Sequence, residues 1–207
     1  AVMVGVGRAA DLGVLIRNGD ALQRAQDLSC VVLDKTGTLT QGKPSLHKMF
    51  ETQAGVSMLA YPLAQRSEHP LARALAQSLE DKGLKVDEFN SVTGAGVKAR
   101  VDGRPLLLGN QSWLETEGVD CTALIESANQ LASDGCSLVW LADSSKVLAV
   151  FGLVDAVRET TPAAINRLHK AGLKLVLLSG DHELAVKALA EQLSIDTYVA
   201  GLKPEAK

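Results

Sequence analysis

The stretch Asp34-Lys35-Thr36-Gly37-Thr38-Leu39-Thr40 stands directly behind Cys30-Val31-Val32-Leu33, a continuous apolar run containing β-branched residues. Runs of that kind suit a strand covered on both faces, as in a parallel sheet. Asp34 then falls at the carboxyl end of a buried strand, where open α/β sheets bind their ligands. A carboxylate in that position can attack a phosphorus centre and form an aspartyl phosphate. Gly37 lets the chain turn sharply and leaves neighbouring amides and hydroxyls free to meet phosphate oxygens. Phosphoryl transfer needs positioning and charge neutralisation more than covalent chemistry. Lys207 and a magnesium ion are candidates for the second task. A strand-end Asp is more often a turn or cap residue, so the rest of the chain has to decide between the two.

Further along, Thr161-Pro162 begins a helix by cap and first-turn proline, and Gly172 ends it. Lys174 to Leu178 is a second apolar strand, ending in Ser179-Gly180-Asp181; a helix over about 183–193 and a short strand over 197–200 follow. This is a βαβ rhythm. Between the two apolar strands the texture changes at Pro44. Residues 59–83 read as mostly helical, with Leu71, Leu75 and Leu79 on one face and Gly83 as stop signal. Residues 97–101 and 105–108 flank Asp102-Gly103, a hairpin signal. Residues 121–132 form an amphipathic helix closed by Gly135, and 137–142 and 146–154 flank a second hairpin turn at Asp143-Ser144-Ser145. Residues 1–27 alternate short apolar runs with Gly and Arg, with a short helical stretch over 20–26, and show no core of their own. The expected architecture is α/β, a parallel-sheet domain interrupted over about 44–153 by an antiparallel α+β insertion.

The chain has 207 residues, enough for one large domain or two small ones. Only 3% of residues are aromatic, so Leu, Val, Ile and Ala must fill the core. A net charge of −3 with no basic stripe argues against a nucleic-acid partner. The cysteines at 30, 121 and 136 are odd in number and match no zinc spacing, which suits reduced thiols of a cytosolic protein. The histidines at 47, 69, 169 and 182 form no metal-ligand cluster. No apolar run reaches the ~18 residues of a membrane-spanning helix, and no signal peptide is visible. The start at Ala1-Val2-Met3-Val4 reads as a piece of something longer.

Two other phosphate motifs are near misses. Residues 37–43 fit most of a Walker A loop, but Pro44 stands where its Ser or Thr should be. Gly5-Val6-Gly7-Arg8-Ala9-Ala10 fits a dinucleotide fingerprint, but the next candidate strand, Val14-Leu15-Ile16, ends in Arg17-Asn18 rather than a ribose-binding acid.

Residues 34–40 resemble the phosphorylation signature of P-type ATPases at every position. Ser179-Gly180-Asp181 resembles the family's Thr-Gly-Asp element, and Asp155-Ala156-Val157-Arg158 its Asp-Pro-x-Arg segment, with Ala156 in place of Pro. Pro204-Glu205-Ala206-Lys207 resembles the Pro-x-x-Lys element whose lysine contacts the phosphorylated aspartate. The resemblance implies a haloacid-dehalogenase-like phosphorylation domain over 28–43 and 154–207. Asp34 would be phosphorylated by ATP, with Lys35, Thr36, Ser179, Gly180 and Asp181 at the phosphate site, and Asp34 and Thr36 at an incomplete magnesium site. Phosphatases of that fold carry a second Asp two residues after the nucleophile. Thr36 stands there instead, which by analogy lets a phosphoenzyme persist.

Within the family, Ser67-Glu68-His69-Pro70 resembles the Ser-x-His-Pro element of the heavy-metal branch, whose His lies against adenine. Gly94-Ala95-Gly96 resembles that branch's nucleotide loop, and Gly109-Asn110 another contact pair. By resemblance, 44–153 is a nucleotide-binding domain in which Glu68, His69, Gly94, Gly96, Gly109 and Asn110 meet ATP. Their ordinary explanations are a helix start capped by Ser67 and turn glycines. The branch usually has a Glu where Ala64 stands, which bears on adenine affinity.

The opening residues look most like bacterial copper(I) exporters, with zinc/cadmium exporters sharing much of them, and 1–27 then connects to a membrane helix. The implied cofactors are ATP and Mg2+. The implied partners are a transported metal, copper(I) ahead of zinc or cadmium, held by membrane segments outside this chain, and other domains of the same pump. The implied location is the cytoplasmic face of a bacterial inner membrane, the chain itself being soluble. A Gly-Asp-Gly-x-Asn-Asp element is expected shortly after Lys207 and an actuator domain elsewhere, so this piece should bind nucleotide, transport nothing and phosphorylate poorly. The alternatives are a haloacid-dehalogenase-type phosphatase with a cap domain and a non-catalytic nucleotide-binding module.

Overall fold

The computed structural model describes residues 2–16, 18, 20 and 24–202. Val2–Asp11 is a helix, α1, where the sequence suggested only apolar runs. Gly5 and Gly7 inside it each lower helix propensity by about 1 kcal/mol and blur the period. A helix here also lacks the strand-glycine-helix order that a dinucleotide fingerprint requires. Of the helical stretch expected over 20–26, residues 21–23 lie outside the described residues, Asp20 and Arg24 are helical, and a 3-10 turn covers Ala25–Asp27.

Strand β1, Cys30–Asp34, opens the α/β part. The chain then builds β2, Ser45–Glu51, a 3-10 turn, Val56–Ala60, and helices α2, Tyr61–Gln65, and α3, Pro70–Ser78. Strands β3, Val86–Val92, β4, Gly96–Val101, and β5, Arg104–Gly109, follow, then α4, Gln111–Thr116. Helix α5, Ile125–Ser133, leads to β6, Ser137–Ala142, and β7, Val147–Val154. The chain closes with α6, Thr161–Lys170, β8, Lys174–Leu178, α7, Glu183–Leu193, and β9, Thr197–Val199. β1, β8 and β9 form a parallel sheet in that order; the other six form an antiparallel sheet ordered β2-β7-β6-β5-β4-β3. The antiparallel sheet is thus inserted between β1 and α6.

The expected helix over 59–83 is two helices. Pro70 has no N–H and disfavours helical backbone in the residue before it, and His69 is extended at φ −66° and ψ 134°. The second helix stops at Ser78 rather than Gly83, Leu79 being extended. Strands β2 and β3 and helix α4 were not anticipated. β2 and β3 are the two outer strands of the sheet and largely polar, so no clean alternation marks them.

Alternation sorts the central strands onto two cores. Leu106, Leu108, Val139, Leu141, Phe151 and Leu153 pack on one face with Leu63 of α2 and Leu75 of α3. Leu107, Trp140, Ala142 and Val150 point the other way, to Trp113 and Leu114 of α4 and Leu131 of α5. An antiparallel sheet covered on both faces explains why β5, β6 and β7 read as nearly continuous apolar runs. The parallel sheet has its own core, with Leu175 and Leu177 against Ile165, Val186, Ala190 and Leu193.

The chain crosses between the sheets twice, side by side. Gln41 N–H donates to Ala156 C=O at 2.9 Å and Arg158 N–H to Leu39 C=O at 3.0 Å. The Asp155 carboxylate accepts from Thr40 Oγ1 at 2.5 Å and from the amides of Gly42 at 3.1 Å and Lys43 at 3.0 Å. One carboxylate therefore ties the outgoing strand to the returning one, using charge-assisted bonds.

Candidate active site

Asp34 lies opposite Leu178 in the parallel register of β1 and β8. That pairing brings Asp34 and Ser179-Gly180-Asp181 to the same carboxyl edge of the sheet, where ligands of such sheets bind. After Asp34 the chain makes a wide turn closed by Thr40, whose N–H donates to Lys35 C=O at 3.2 Å and whose Oγ1, donating to Asp155, accepts Gly37 N–H at 3.2 Å. Gly37 sits in it at φ 74°, and an added Cβ would meet nothing within 4 Å, so backbone conformation rather than space demands glycine there. Arg158 steadies the turn from the returning crossing, Nη2 donating to Gly37 C=O at 2.9 Å. Thr36, Gly37 and Thr38 remain exposed.

Lys35 points inward and is only 5% exposed. Its ammonium ion-pairs with Asp181 and donates to Ser137 Oγ at 3.0 Å, and Ser137 Oγ donates to Asp181 Oδ2 at 3.1 Å. A buried ammonium is tolerated only with such partners. Ser179 is 2% exposed, and its Oγ accepts the N–H of Asp181 at 3.2 Å. Gly180 passes close under Leu202, whose carbonyl would stand 3.0 Å from an added Cβ.

His69 caps α3: its Nδ1 accepts the N–H of Leu71 at 3.2 Å, which leaves the proton of a neutral ring on Nε2. Ser67 does not cap the helix but accepts the N–H of His69 at 3.3 Å. By surface area His69 is exposed, yet surrounding protein atoms desolvate the ring enough to push its pKa below the ordinary histidine value. The negative charge of Asp181 opposes that shift, which places His69 within electrostatic reach of the phosphate-side motif. In an NMR titration His69 should therefore show a pKa below about 6.5, and Asp181→Asn should lower it further. A value that rises in Asp181→Asn would contradict this arrangement. Because the folded-state pKa is depressed, the unfolded chain takes up the proton first. The His69 contribution to stability is therefore full above about pH 6.5 and is lost as pH falls through the folded pKa.

The remaining expected nucleotide residues form a second group. Asn110 caps α4, Oδ1 accepting Trp113 N–H at 2.9 Å, while its Nδ2 donates to Gly94 C=O at 3.1 Å. Gly96 and Gly109 face each other across β4 and β5. A Cβ on Gly96 would come within 2.6 Å of Trp113 Cζ3, and one on Gly109 within 2.6 Å of Trp113 Cε3. The tryptophan occupies the space both glycines leave, a requirement the Gly-x-Gly pattern did not disclose. Glu68 is exposed, and Ala64 is fully buried in the insert core. Lys207, with the whole of Pro204-Glu205-Ala206-Lys207, lies outside the described residues.

Ser137 and Asp155 were not on the sequence's shortlist of site residues. Asp155 had a motif to signal it; Ser137 had none. Among the described residues, no helix is long and apolar enough to cross a membrane.

A family model described as a hydrolase, haloacid dehalogenase-like, matches residues 28–207. The chain is 40% identical to Copper-transporting ATPase 2 of Rhizobium meliloti (strain 1021), over 100% of its own length and 26% of that protein. It is 37% identical to the Copper-exporting P-type ATPase of Legionella pneumophila, over 100% of itself and 29% of that protein. The chain thus spans little more than a quarter of these relatives. Among solved structures, it shares a fold with the catalytic domain of the CPx-ATPase CopB-B at TM-score 0.70 and 23% identity, covering 97% of this chain and 72% of that one. A zinc-transporting PIB-type ATPase in its E2.Pi state matches at TM-score 0.64 and 32% identity, covering 100% of this chain and 34% of that one.

Proposed function

Since this chain belongs to the haloacid dehalogenase-like hydrolases, we propose that it is the nucleotide-binding and phosphorylation region of a heavy-metal-exporting P-type ATPase, with copper(I) as the exported ion. The observation that carries the reading is the register that sets Asp34 opposite Leu178, beside Ser179-Gly180-Asp181. Residues 28–43 and 154–207 serve as phosphorylation domain, 44–153 as nucleotide-binding domain and 1–27 as connector. Copper is favoured over zinc by the curated relatives quoted above, both copper transporters by name. The working location is the cytoplasmic face of a membrane, beside the pump's other domains.

In this reading the insert holds the adenine near His69, and Asn110 fixes the Gly94 loop, its Nδ2 donating to Gly94 C=O. An oxygen of Asp34 attacks the γ-phosphorus, the bond to the bridging oxygen breaks, and ADP leaves with that electron pair. The exposed Thr36-Gly37-Thr38 turn offers the hydroxyls of Thr36 and Thr38 to the phosphate oxygens, and Ser179 lies at the same edge. Lys207 is the further cation, by its resemblance to the Pro-x-x-Lys element. Magnesium, when bound, neutralises phosphate charge. Asp34 and Thr36 fit it as oxygen donors, because that ion takes one or two carboxylates and completes its shell with phosphates and water. Among the described residues no group of three or more His, Cys, Asp or Glu could hold a metal ion. The phosphatase alternative lacks its second acid, Thr36 occupying that place.

The full-length protein, incubated with ATP labelled on the γ-phosphate, should carry acid-stable label, and ATP labelled on the α-phosphate should leave none. Absence of γ-label, or equal labelling from both, would sink the reading.

A further inference from the structure

Ser137 stands at the start of β6, paired with Leu153 of β7 two residues before Asp155 and the return crossing. It belongs to the inserted sheet, yet its hydroxyl is spent entirely on the parallel sheet's site: it accepts from Lys35 Nζ and donates to Asp181 Oδ2. It is 4% exposed, and α5 of the insert packs beside α7, the helix that follows Asp181. Lys35 is the neighbour of Asp34, and Asp181 belongs to the second motif of the same edge. We propose that Ser137 is a positioning residue of the phosphoryl-transfer site, carrying the placement of the insert to the Lys35–Asp181 pair. This rests on the proposed function.

The physical case is one of partner supply. The Lys35–Asp181 pair lies wholly on the parallel-sheet side of the two crossings. Swinging the insert away keeps that pair but strips the ammonium of its hydroxyl acceptor and the carboxylate of a donor, and water then has to replace preformed bonds to two charged groups. The hydroxyl therefore favours the arrangement in which insert and parallel sheet face each other. A nucleotide that is held by the insert at its base and by the parallel sheet at its terminal phosphate needs that arrangement. Its apparent affinity is scaled by the fraction of molecules already in it. A nucleotide held by its base alone does not need it.

The test uses this chain with ATP and AMP as probes, in calorimetric titration of the parent, Ser137→Ala and Ser137→Thr. The expected result is that Ser137→Ala raises the Kd for ATP about tenfold to a hundredfold, the loss of one hydrogen bond to a charged group. The Kd for AMP should stay unchanged, and Ser137→Thr, which keeps the hydroxyl, should restore the ATP value. The 15N-detected ammonium signal of Lys35 should be slow to exchange in the parent and in Ser137→Thr, and lost in Ser137→Ala. A parent that prefers ATP, together with Ser137→Ala that keeps both that preference and the Lys35 signal, overturns the proposal alone. Tighter ATP binding by Ser137→Ala also overturns it, since the contact would then oppose the nucleotide. A parent that binds neither nucleotide overturns the functional reading, and the proposal with it.

Discussion

Replacing Asp34 with Asn in the full-length protein is expected to leave no detectable acid-stable phosphate, a loss of at least about 10⁴-fold in the rate of phosphoenzyme formation. Asn matches Asp in shape, so β1 and its pairing to β8 should survive, and the melting temperature should move little. What disappears is the anionic oxygen that forms the new bond to phosphorus. No neighbour can take its place: Asp181 is already committed to Lys35 and Ser137, and Thr36 has no carboxylate. ATP affinity should be kept or improved, because one negative charge facing the triphosphate is gone. Asp34→Glu keeps the charge but moves it by a methylene, and a misplacement of about 1 Å costs on the order of 10² in rate. Label persisting in Asp34→Asn would mean that another residue accepts the phosphate.

The features that were legible in the sequence share a physical cause. β1 and β8 each turn Leu and Val side chains onto the parallel-sheet core, so each is a short apolar run with an abrupt polar end, and those ends are the two phosphate motifs; β1 is not covered on both faces as expected, because Cys30 and Val32 stay exposed on its other side. The turn at Asp102-Gly103 was legible because both residues adopt left-handed backbone, φ 47° and 78°, which few other pairs tolerate in a tight hairpin. β3 was not legible: Val86-Asp87-Glu88-Phe89-Asn90-Ser91-Val92 is an outer strand whose register shifts between Asp87 and Asn90, with Glu88 at φ 54°. Its side chains therefore keep no period of two. The break between α2 and α3 was visible in Pro70, but the leucine spacing across it looked continuous. Ser137 was out of reach for a different reason. Its partners Lys35 and Asp181 lie 102 and 44 residues away, and nothing in the local composition of β6 distinguishes a serine that faces a lysine from one that faces water.

The glycines show how a motif can carry a packing requirement inside it. Gly96→Ala is expected to destabilise the chain by at least about 3 kcal/mol with no nucleotide present, the upper end for overpacking a core. For a chain of this size that lowers the melting temperature by roughly 6–12 °C. The added Cβ would stand 2.4 Å from Leu108 C=O, 2.6 Å from Gly109 Cα and 2.6 Å from Trp113 Cζ3. Two of those three atoms are backbone of the paired strand, so a rotamer change cannot relieve the clash. Gly109→Ala should behave alike, its Cβ meeting Ala95 C=O at 2.5 Å and Trp113 Cε3 at 2.6 Å. Gly94→Ala is a milder case, costing about 1–2 kcal/mol for a left-handed residue at φ 71°. Shrinking the ring in a Gly96→Ala, Trp113→Phe double variant should recover little, since the contacts to Leu108 and Gly109 remain. If instead the melting temperature of Gly96→Ala stayed within about 2 °C of the parent, less than 1 kcal/mol by the same conversion, the glycine would be needed by the ligand alone. The packing of Trp113 across β4 and β5 would then not be what excludes a side chain there.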